Sequence, residues 1–276
     1  MVGTFHSQPT QASECASSAW ARSWGKRTYR LVPITFLSIT IALVSPFLSS
    51  RAFASPQELD VALMLADILR SSRVEIASQQ ASINNPDIGD KGLTGDVIVS
   101  NVLQRLAESD VDISALEDGS FKKQLVDEQL AAMKEIADEN QALINRKGIG
   151  FKGFVPAVFA QLVNERFGQK VGDRATIKVT APVHLVRNRK ARPDRWELNV
   201  IETKFSDADW VQGQLYSEIA EGESGDAFRV MVPEYYGEAC LACHGSPKDE
   251  LDITGYPKEG GSLGELGGSI SISLFR

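Results

Sequence analysis

The hydrophobic pattern changes character near residue 170, and this change constrains the fold more than any other feature of the chain. Between Ser55 and about Asn84, apolar residues recur at the spacing of one helix face until an Asn-Asn-Pro-Asp turn ends the pattern. A second helical pattern runs from Phe121 to about Asn145 and also ends in a glycine-rich turn. The first half of the chain is therefore predicted to contain two amphipathic helices.

After residue 170, alternating or β-branched runs predict strands. They lie at Ala175–Val186, Asp226–Pro233 and Gly267–Phe275. Between the first two runs, Pro193 and Asp194 open a short helix that is expected to end near Phe205. Helices followed by strands predict one α+β domain over residues 55–276.

The two helical patterns end in segments that resemble each other at an offset of 61 residues. QASINNPDIGDKGLTGDVIVSNV from Gln80 aligns without gaps on QALINRKGIGFKGFVPAVFAQLV from Gln141, with ten identities in 23 positions. This agreement predicts a duplicated helix-turn-helix. The alternative is that one kind of Lys-Gly turn is used twice, and neither interpretation makes the segment a binding site.

Residues 1–54 have the order of an export leader. Four basic residues between Arg22 and Arg30 precede an apolar run of 18 residues, and the small residues Ala52 and Ala54 follow it. This order predicts a secretory signal peptide cleaved after Ala54. An uncleaved membrane anchor is the alternative, because 18 apolar residues are long for a signal peptide. Both alternatives place residues 55–276 outside the cytoplasm, in the periplasm of a bacterium.

The exported part of the chain is acidic. Residues 55–276 carry 24 Lys and Arg against 35 Asp and Glu, a net charge of −11. Such a surface repels phosphate backbones and anionic lipids, which excludes nucleic acid as an expected partner and limits membrane contact to an uncleaved leader. A basic protein partner is favoured instead.

The motif EACLACHG at residues 238–245 carries the most specific chemical signal. Cys15 lies in the leader, so Cys240 and Cys243 are the only cysteines of the exported part, and His244 follows directly. Cys-x-x-Cys-His is the arrangement in which two thiols attach one haem c and the histidine ligates its iron. On one helical turn, the two thiols lie on one face.

Two other interpretations of the cysteine pair stay open. A thioredoxin-like redox pair would require the motif to open a helix in a βαβ unit. A zinc site would require His184 as a ligand, together with the adjacent Cys243 and His244, which is awkward for a tetrahedron.

Three segments taken together resemble a known family. KGFVPAVFA at Lys152–Ala160, RNRKARPDRWE at Arg187–Glu197, and EACLACHG with the following ITGYPKEGGSLGELGGSISISL resemble single-haem c-type proteins with a PAS-like fold. The resemblance covers about residues 120–276 and implies a PAS-like antiparallel sheet on which the N-terminal helices pack. In the middle motif, Arg189 and Ala191 replace a proline and an asparagine that the family usually has.

The sixth ligand of a bound iron has several candidates. His184 is the first candidate, expected on a strand from which it points either into a pocket or out to solvent, and a lone strand histidine is more often not a ligand. Met133 is the second, although a helical methionine commonly fills a core. Met231 is a weaker candidate, and an open or water-bound position is the other alternative. Arg187 is expected to pair with haem propionates, because a guanidinium binds a carboxylate as a fork, and a solvated basic loop is the alternative.

The expected function is redox or gas sensing, which the family resemblance implies, or electron transfer with a redox partner protein. Two strong ligands favour electron transfer, whereas an open position admits a small gas ligand or peroxide. A peroxidase-like enzyme is a further alternative, in which His184 stands off the iron as an acid or base.

Overall fold

The computed structural model describes residues 55–222 and 225–276, so both predictions for the leader at residues 1–54 fall outside the described residues. The elements before the sheet are α1 (Pro56–Ser78), α2 (Gln80–Ile83), α3 (Gly95–Glu108), α4 (Phe121–Glu139), α5 (Gln141–Ile144) and α6 (Pro156–Val171). They are followed by β1 (Ala175–Thr180), α7 (Arg195–Val200), β2 (Tyr216–Gly222), β3 (Gly225–Tyr235), α8 (Glu238–His244) and β4 (Leu266–Phe275). Within these described ranges, no helix combines the length and apolar character needed to cross a membrane.

The helices begin where short polar side chains can cap them. The Ser55 hydroxyl accepts from the backbone of Glu58, whose carboxylate accepts from the Ser55 backbone in return. Thr94 and Ser120 cap α3 and α4 in the same way, each accepting from the third helical residue. These bonds satisfy backbone donors that would otherwise have no partner, which fixes the starting points of the helices.

Four antiparallel strands form one sheet in the order β1-β4-β3-β2. On the central strand β4, Ile270, Ile272 and Leu274 face the helices, and three buried serines alternate with them on the opposite face. Both faces of the sheet are covered, because α1 packs on β4 and α6 packs on β1 from one side, and the segment around α7 packs on β3 from the other. The predicted α+β fold with helices on an antiparallel sheet is confirmed.

The second face of the sheet carries a smaller core. Val200, Ile201 and Phe205, from α7 and the π-helical turn Ile201–Phe205, pack on Met231 of β3. Trp196, Trp210, Tyr216 and Leu266 surround this cluster. Leu266 begins β4 and also borders the candidate site, so the small core adjoins that site.

The repeat found in the sequence is a structural repeat. Its two copies begin with α2 and α5 and continue into α3 and α6, which start 61 residues apart. Asn84 accepts from the backbone N–H of Lys152 at 3.1 Å, and its counterpart Asn145 accepts from the backbone N–H of Lys91 at 3.0 Å. Each copy therefore holds the Lys-Gly turn of the other.

The glutamines of the repeat make a second reciprocal pair of contacts. Gln80 donates to the carbonyl of Phe154, and Gln141 donates to the carbonyl of Leu93. Phe154 and Leu93 occupy equivalent positions in the two copies. The duplicated helix-turn-helix is a pair of segments that bind each other, which accounts for the Gln, Asn and Lys-Gly residues that the two copies share.

Three sequence predictions of secondary structure need correction. Strand β1 ends at Thr180, and residues Val183–Leu185 form a 3₁₀ turn, because Pro182 lacks the N–H that a strand ladder requires. Helices α3 and α6 are the second helices of the two predicted helix-turn-helix copies, but the prediction gave them no bounds; Pro156 at the first position of α6 marks its start. Strand β2 was not predicted.

Candidate functional site

The Cys-x-x-Cys-His segment forms a helix of its own. Strand β3 runs directly into α8, which begins after Gly237 and ends at His244. Cys240 and Cys243 are free, half-buried thiols, and both lie on this helix, three residues apart. Gly245 ends the helix, and only glycine fits there, because a Cβ atom would lie 2.5 Å from the carbonyl oxygen of Leu241.

The imidazole of His244 is held from two sides. Its Nδ1 lies 2.9 Å from Oε2 of Glu259, and its ring stacks on Tyr236 with a centroid distance of 5.3 Å and an interplanar angle of 16°. Burial opposes the charged form of Glu259, but hydrogen bonds from Arg187 and His244 outweigh this effect and lower its pKa. An ionised carboxylate only accepts hydrogen bonds, so Nδ1 carries the proton and Nε2 is the nitrogen left free to ligate.

Arg187 is the centre of the contacts around α8. Its Nε and Nη2 donate to the two oxygens of Glu259 at 2.5 and 2.9 Å, and its Nη1 donates to Asp252 at 2.6 Å. The Nη2 group also donates to the carbonyl of Cys243 at 2.8 Å. Arg187 therefore joins the haem-type motif to two carboxylates of the following loop. Its expected pairing with propionates stays a prediction.

Asp252 is the most strongly shielded carboxylate of this network, with a side chain that is 0% exposed. Burial disfavours its charge, yet the backbone and hydroxyl of Thr254 donate to it at 2.7 and 2.6 Å, and Arg187 pairs with it. These donors outweigh burial and hold the pKa of Asp252 well below its usual range. The loop that follows α8 is thus anchored by an ionised, fully bonded aspartate.

A cavity of about 240 Å³ lies beside the His244 stack. It is lined by His184, Leu185, Tyr236, Glu259, Gly260, Gly261, Glu265 and Leu266. The backbone at Gly261 and Gly267 packs directly on the ring of Tyr236. A Cβ atom would lie 2.6 Å from this ring at Gly261 and 2.4 Å from it at Gly267, so both positions require glycine. Burial and the charge of Glu259 raise the pKa of Tyr236 to about 12, so the phenol keeps its proton.

The structure brings some of the predicted ligand residues to this site and leaves others away from it. His184 lies on a 3₁₀ turn and not on the expected strand, and it is exposed while it also lines the cavity. Met133 is fully buried in the helical core, and Met231 is fully buried in the small core on the sheet. Neither methionine lines the cavity.

The geometry also bears on the two other interpretations of the cysteine pair. Helix α8 does follow a strand, but β3 and β4 pair antiparallel, so the unit is not βαβ. Burial first, and then the charge of Asp252, raises the pKa of the Cys243 thiol, whereas a redox-active thiol usually has a lowered pKa. Within residues 55–222 and 225–276, no three His, Cys, Asp or Glu side chains are placed to hold a metal ion, as the zinc alternative requires.

Sequence reasoning missed Glu259, Asp252 and Tyr236. Glu259 lies inside the ITGYPKEGG segment that carried the family resemblance, but nothing in its spacing connects it to His244, which is 15 residues earlier. The contact arises because the loop folds back, with Gly261 donating to the carbonyl of His244 at 2.7 Å. Of the three, only Tyr236 could have been suggested by its position, because it lies two residues before the motif and its ring can stack on that of His244.

Comparison with known proteins places the chain in a family. Residues 54–274 match the Tll0287-like family. Among solved structures, the crystal structure of the cyanobacterial heme-protein Tll0287 is similar with a TM-score of 0.42 and 12% identity, over 81% of this chain and 98% of that one. No curated protein matches. The family match spans most of the chain and confirms the resemblance read from its motifs, so the protein belongs to the Tll0287-like family.

Proposed function

We propose that this protein binds one haem c covalently and exchanges electrons through it, either as an electron carrier or as a redox sensor. Cys240 and Cys243 would form the two thioethers, and His244 would ligate the iron through Nε2. Haem supplies one-electron redox chemistry when it is bound there. The haem-protein description of Tll0287, together with the family match, supports this assignment.

The observation that carries the proposal is the arrangement on α8. Two half-buried thiols lie on one face of the helix, and the next residue presents an imidazole whose Nδ1 is already bonded to a carboxylate. A ligating histidine commonly makes this kind of bond through its other nitrogen. The donor set therefore fits a haem c, and it fits a thiol nucleophile poorly because the pKa of Cys243 is raised.

The size of the cavity and the charge of residues 237–266 favour electron exchange over a reaction on a substrate enclosed in the site. The cavity is smaller than the ~300–1,000 Å³ of sites that enclose small ligands, so it does not by itself enclose a porphyrin. Residues 237–266 carry six acidic and two basic side chains; Asp252 and Glu259 pair with Arg187, and the four exposed acidic side chains are Glu238, Asp249, Glu250 and Glu265. We propose a basic redox partner that docks at this acidic segment, in the periplasm to which the leader directs the chain.

The first test is an absorption spectrum of the chain, exported from a host that attaches haem c and recorded oxidised and reduced. We expect a covalent-haem spectrum that survives denaturation, and we expect Cys240→Ser with Cys243→Ser to lose it. Cys15→Ser is the matched control, because Cys15 lies in the leader and its replacement should change nothing. A wild-type chain without covalent haem would refute the proposal.

The sixth ligand decides between carrier and gas sensor, and His184 is the residue to test because it lines the cavity. A low-spin spectrum that carbon monoxide does not change is expected for wild type, and carbon monoxide binding is expected for His184→Ala. Carbon monoxide binding by the wild type would instead support a small gas ligand or peroxide chemistry at an open position.

A further inference from the structure

We infer that Glu259 is the positioning residue of His244, which fixes its tautomer and ring direction and lowers the reduction potential of the iron. This inference rests on the proposed haem function and adds a residue that determines the potential. Glu259 lies outside the Cys-x-x-Cys-His motif, and no spacing in the sequence connects the two.

The geometry carries the first part of the inference. The Glu259 carboxylate lies 2.9 Å from Nδ1 of His244, and it is itself fixed by the two-point contact with Arg187. Its side chain is only 13% exposed, so water competes little for this bond. Tyr236 stacks on one face of the ring, so a rotated imidazole would lose both this stacking contact and the bond to Glu259.

The chemistry of the bond carries the second part. An ionised carboxylate that accepts from Nδ1–H draws the proton toward itself and makes Nε2 a stronger electron donor. A stronger donor stabilises the oxidised iron more than the reduced iron, which lowers the reduction potential. The guanidinium of Arg187 limits this effect by sharing the charge, and it also keeps the carboxylate in place.

Glu265 offers a matched control within the same cavity. It also lines the cavity and carries the same charge, but it accepts from the backbone N–H of Ser262 at 2.8 Å and is exposed. Glu265→Gln therefore removes one charge from the same cavity without touching His244. Because the amide oxygen of glutamine can still accept from Nδ1–H, the comparison separates the charge of the buried carboxylate bonded to His244 from that of an exposed carboxylate nearby.

The test is a spectroelectrochemical titration of haem-loaded wild type, Glu259→Gln and Glu265→Gln at one pH and at two salt concentrations. We expect a clear shift to higher potential in Glu259→Gln that salt does not change, and a smaller shift in Glu265→Gln that shrinks with salt. Equal shifts in the two variants, or no shift in Glu259→Gln, would overturn the inference.

A measurement on the wild type covers the case in which Glu259→Gln does not fold. In the oxidised protein, the Nδ1 proton of His244 is expected to give a distinct NMR signal that exchanges slowly with solvent, and fast exchange would overturn the inference. Failure of the inference is distinguishable from failure of the proposed function. A wild-type chain without covalent haem refutes the function, whereas a haem-loaded chain with an unshifted potential in Glu259→Gln refutes only the role of Glu259.

Discussion

Replacing Arg187 with glutamine tests whether the network around α8 stabilises the site. The variant removes a guanidinium that contacts two carboxylates and the Cys243 carbonyl, and glutamine retains one donor group. We expect a clear loss of stability, because Asp252 would then carry a buried charge with fewer partners. Lys190→Gln is the control, since Lys190 is a cation of the same loop but is 65% exposed, and its ion-pair partner in the described part of the chain is Glu165.

The size of the effect follows from the burial of the partners. Breaking a buried ion pair by removing one member costs ~3–5 kcal/mol. The Asp252 side chain is 0% exposed, but Arg187 is 21% exposed and Asp252 keeps its bonds from Thr254, which places the loss at the low end, ~3 kcal/mol. For a domain of this size, this corresponds to a decrease in Tm of about 6–12 °C. Exposed pairs contribute ~0–1 kcal/mol, so Lys190→Gln should have little effect.

The assay is urea unfolding of both variants and wild type, followed by circular dichroism at neutral pH and at lower pH. Because the folded-state pKa of Asp252 lies below its unfolded value of ~3.9, its stabilisation is present above that pH and is lost as the pH falls through the folded-state pKa. The difference between wild type and Arg187→Gln should therefore shrink below about pH 4. An Arg187→Gln variant as stable as Lys190→Gln at neutral pH would refute the reasoning.

Three further predictions test other parts of the structure. Gly267→Ala should lose ~1–3 kcal/mol of stability, because its Cβ would lie 2.4 Å from the Tyr236 ring, whereas Gly168→Ala in α6 meets no atom within 4 Å and should not destabilise in the same thermal melts. Met133→Ala should lose ~2–5 kcal/mol from the helical core without changing the haem absorption spectrum, and a changed spectrum would make Met133 a ligand after all. Asn84→Ala and Asn145→Ala should each lose ~1–3 kcal/mol in urea unfolding, since each leaves an equivalent backbone N–H without its acceptor, and markedly unequal losses would contradict the reciprocal contacts.

The sequence determined the elements whose signal is local. The periodicity from Ser55 and from Phe121 gave α1 and α4 with starts within one residue, because polar caps and apolar spacing agree there. The alternation of Ile and Ser near the end gave β4, which is covered on both faces. The spacing of Cys240, Cys243 and His244 predicted that all three residues lie on one short helix, which α8 confirms; their role as haem ligands stays a prediction.

Local sequence patterns could not predict contacts between residues that are far apart in the chain. The bond between His244 and Glu259 depends on a loop that folds back over 15 residues, and the contacts of Arg187 span 56 to 72 residues. Arg187 was singled out as a carboxylate binder, yet its partners in the fold are Asp252 and Glu259. The sequence indicates that Arg187 can bind carboxylates, whereas the tertiary structure determines which carboxylates it binds.

The length of α8 explains why these distant contacts matter to function. A helix of seven residues is not stable in isolation, so α8 is ordered by tertiary contacts and not by its own propensity. Those contacts come from Arg187 before it, from Glu259 after it and from Tyr236 at its start. The side chains that order the helix are thus the same ones that hold the imidazole of His244, so a change that loosens the network should disturb both the fold of α8 and the potential of a haem bound there.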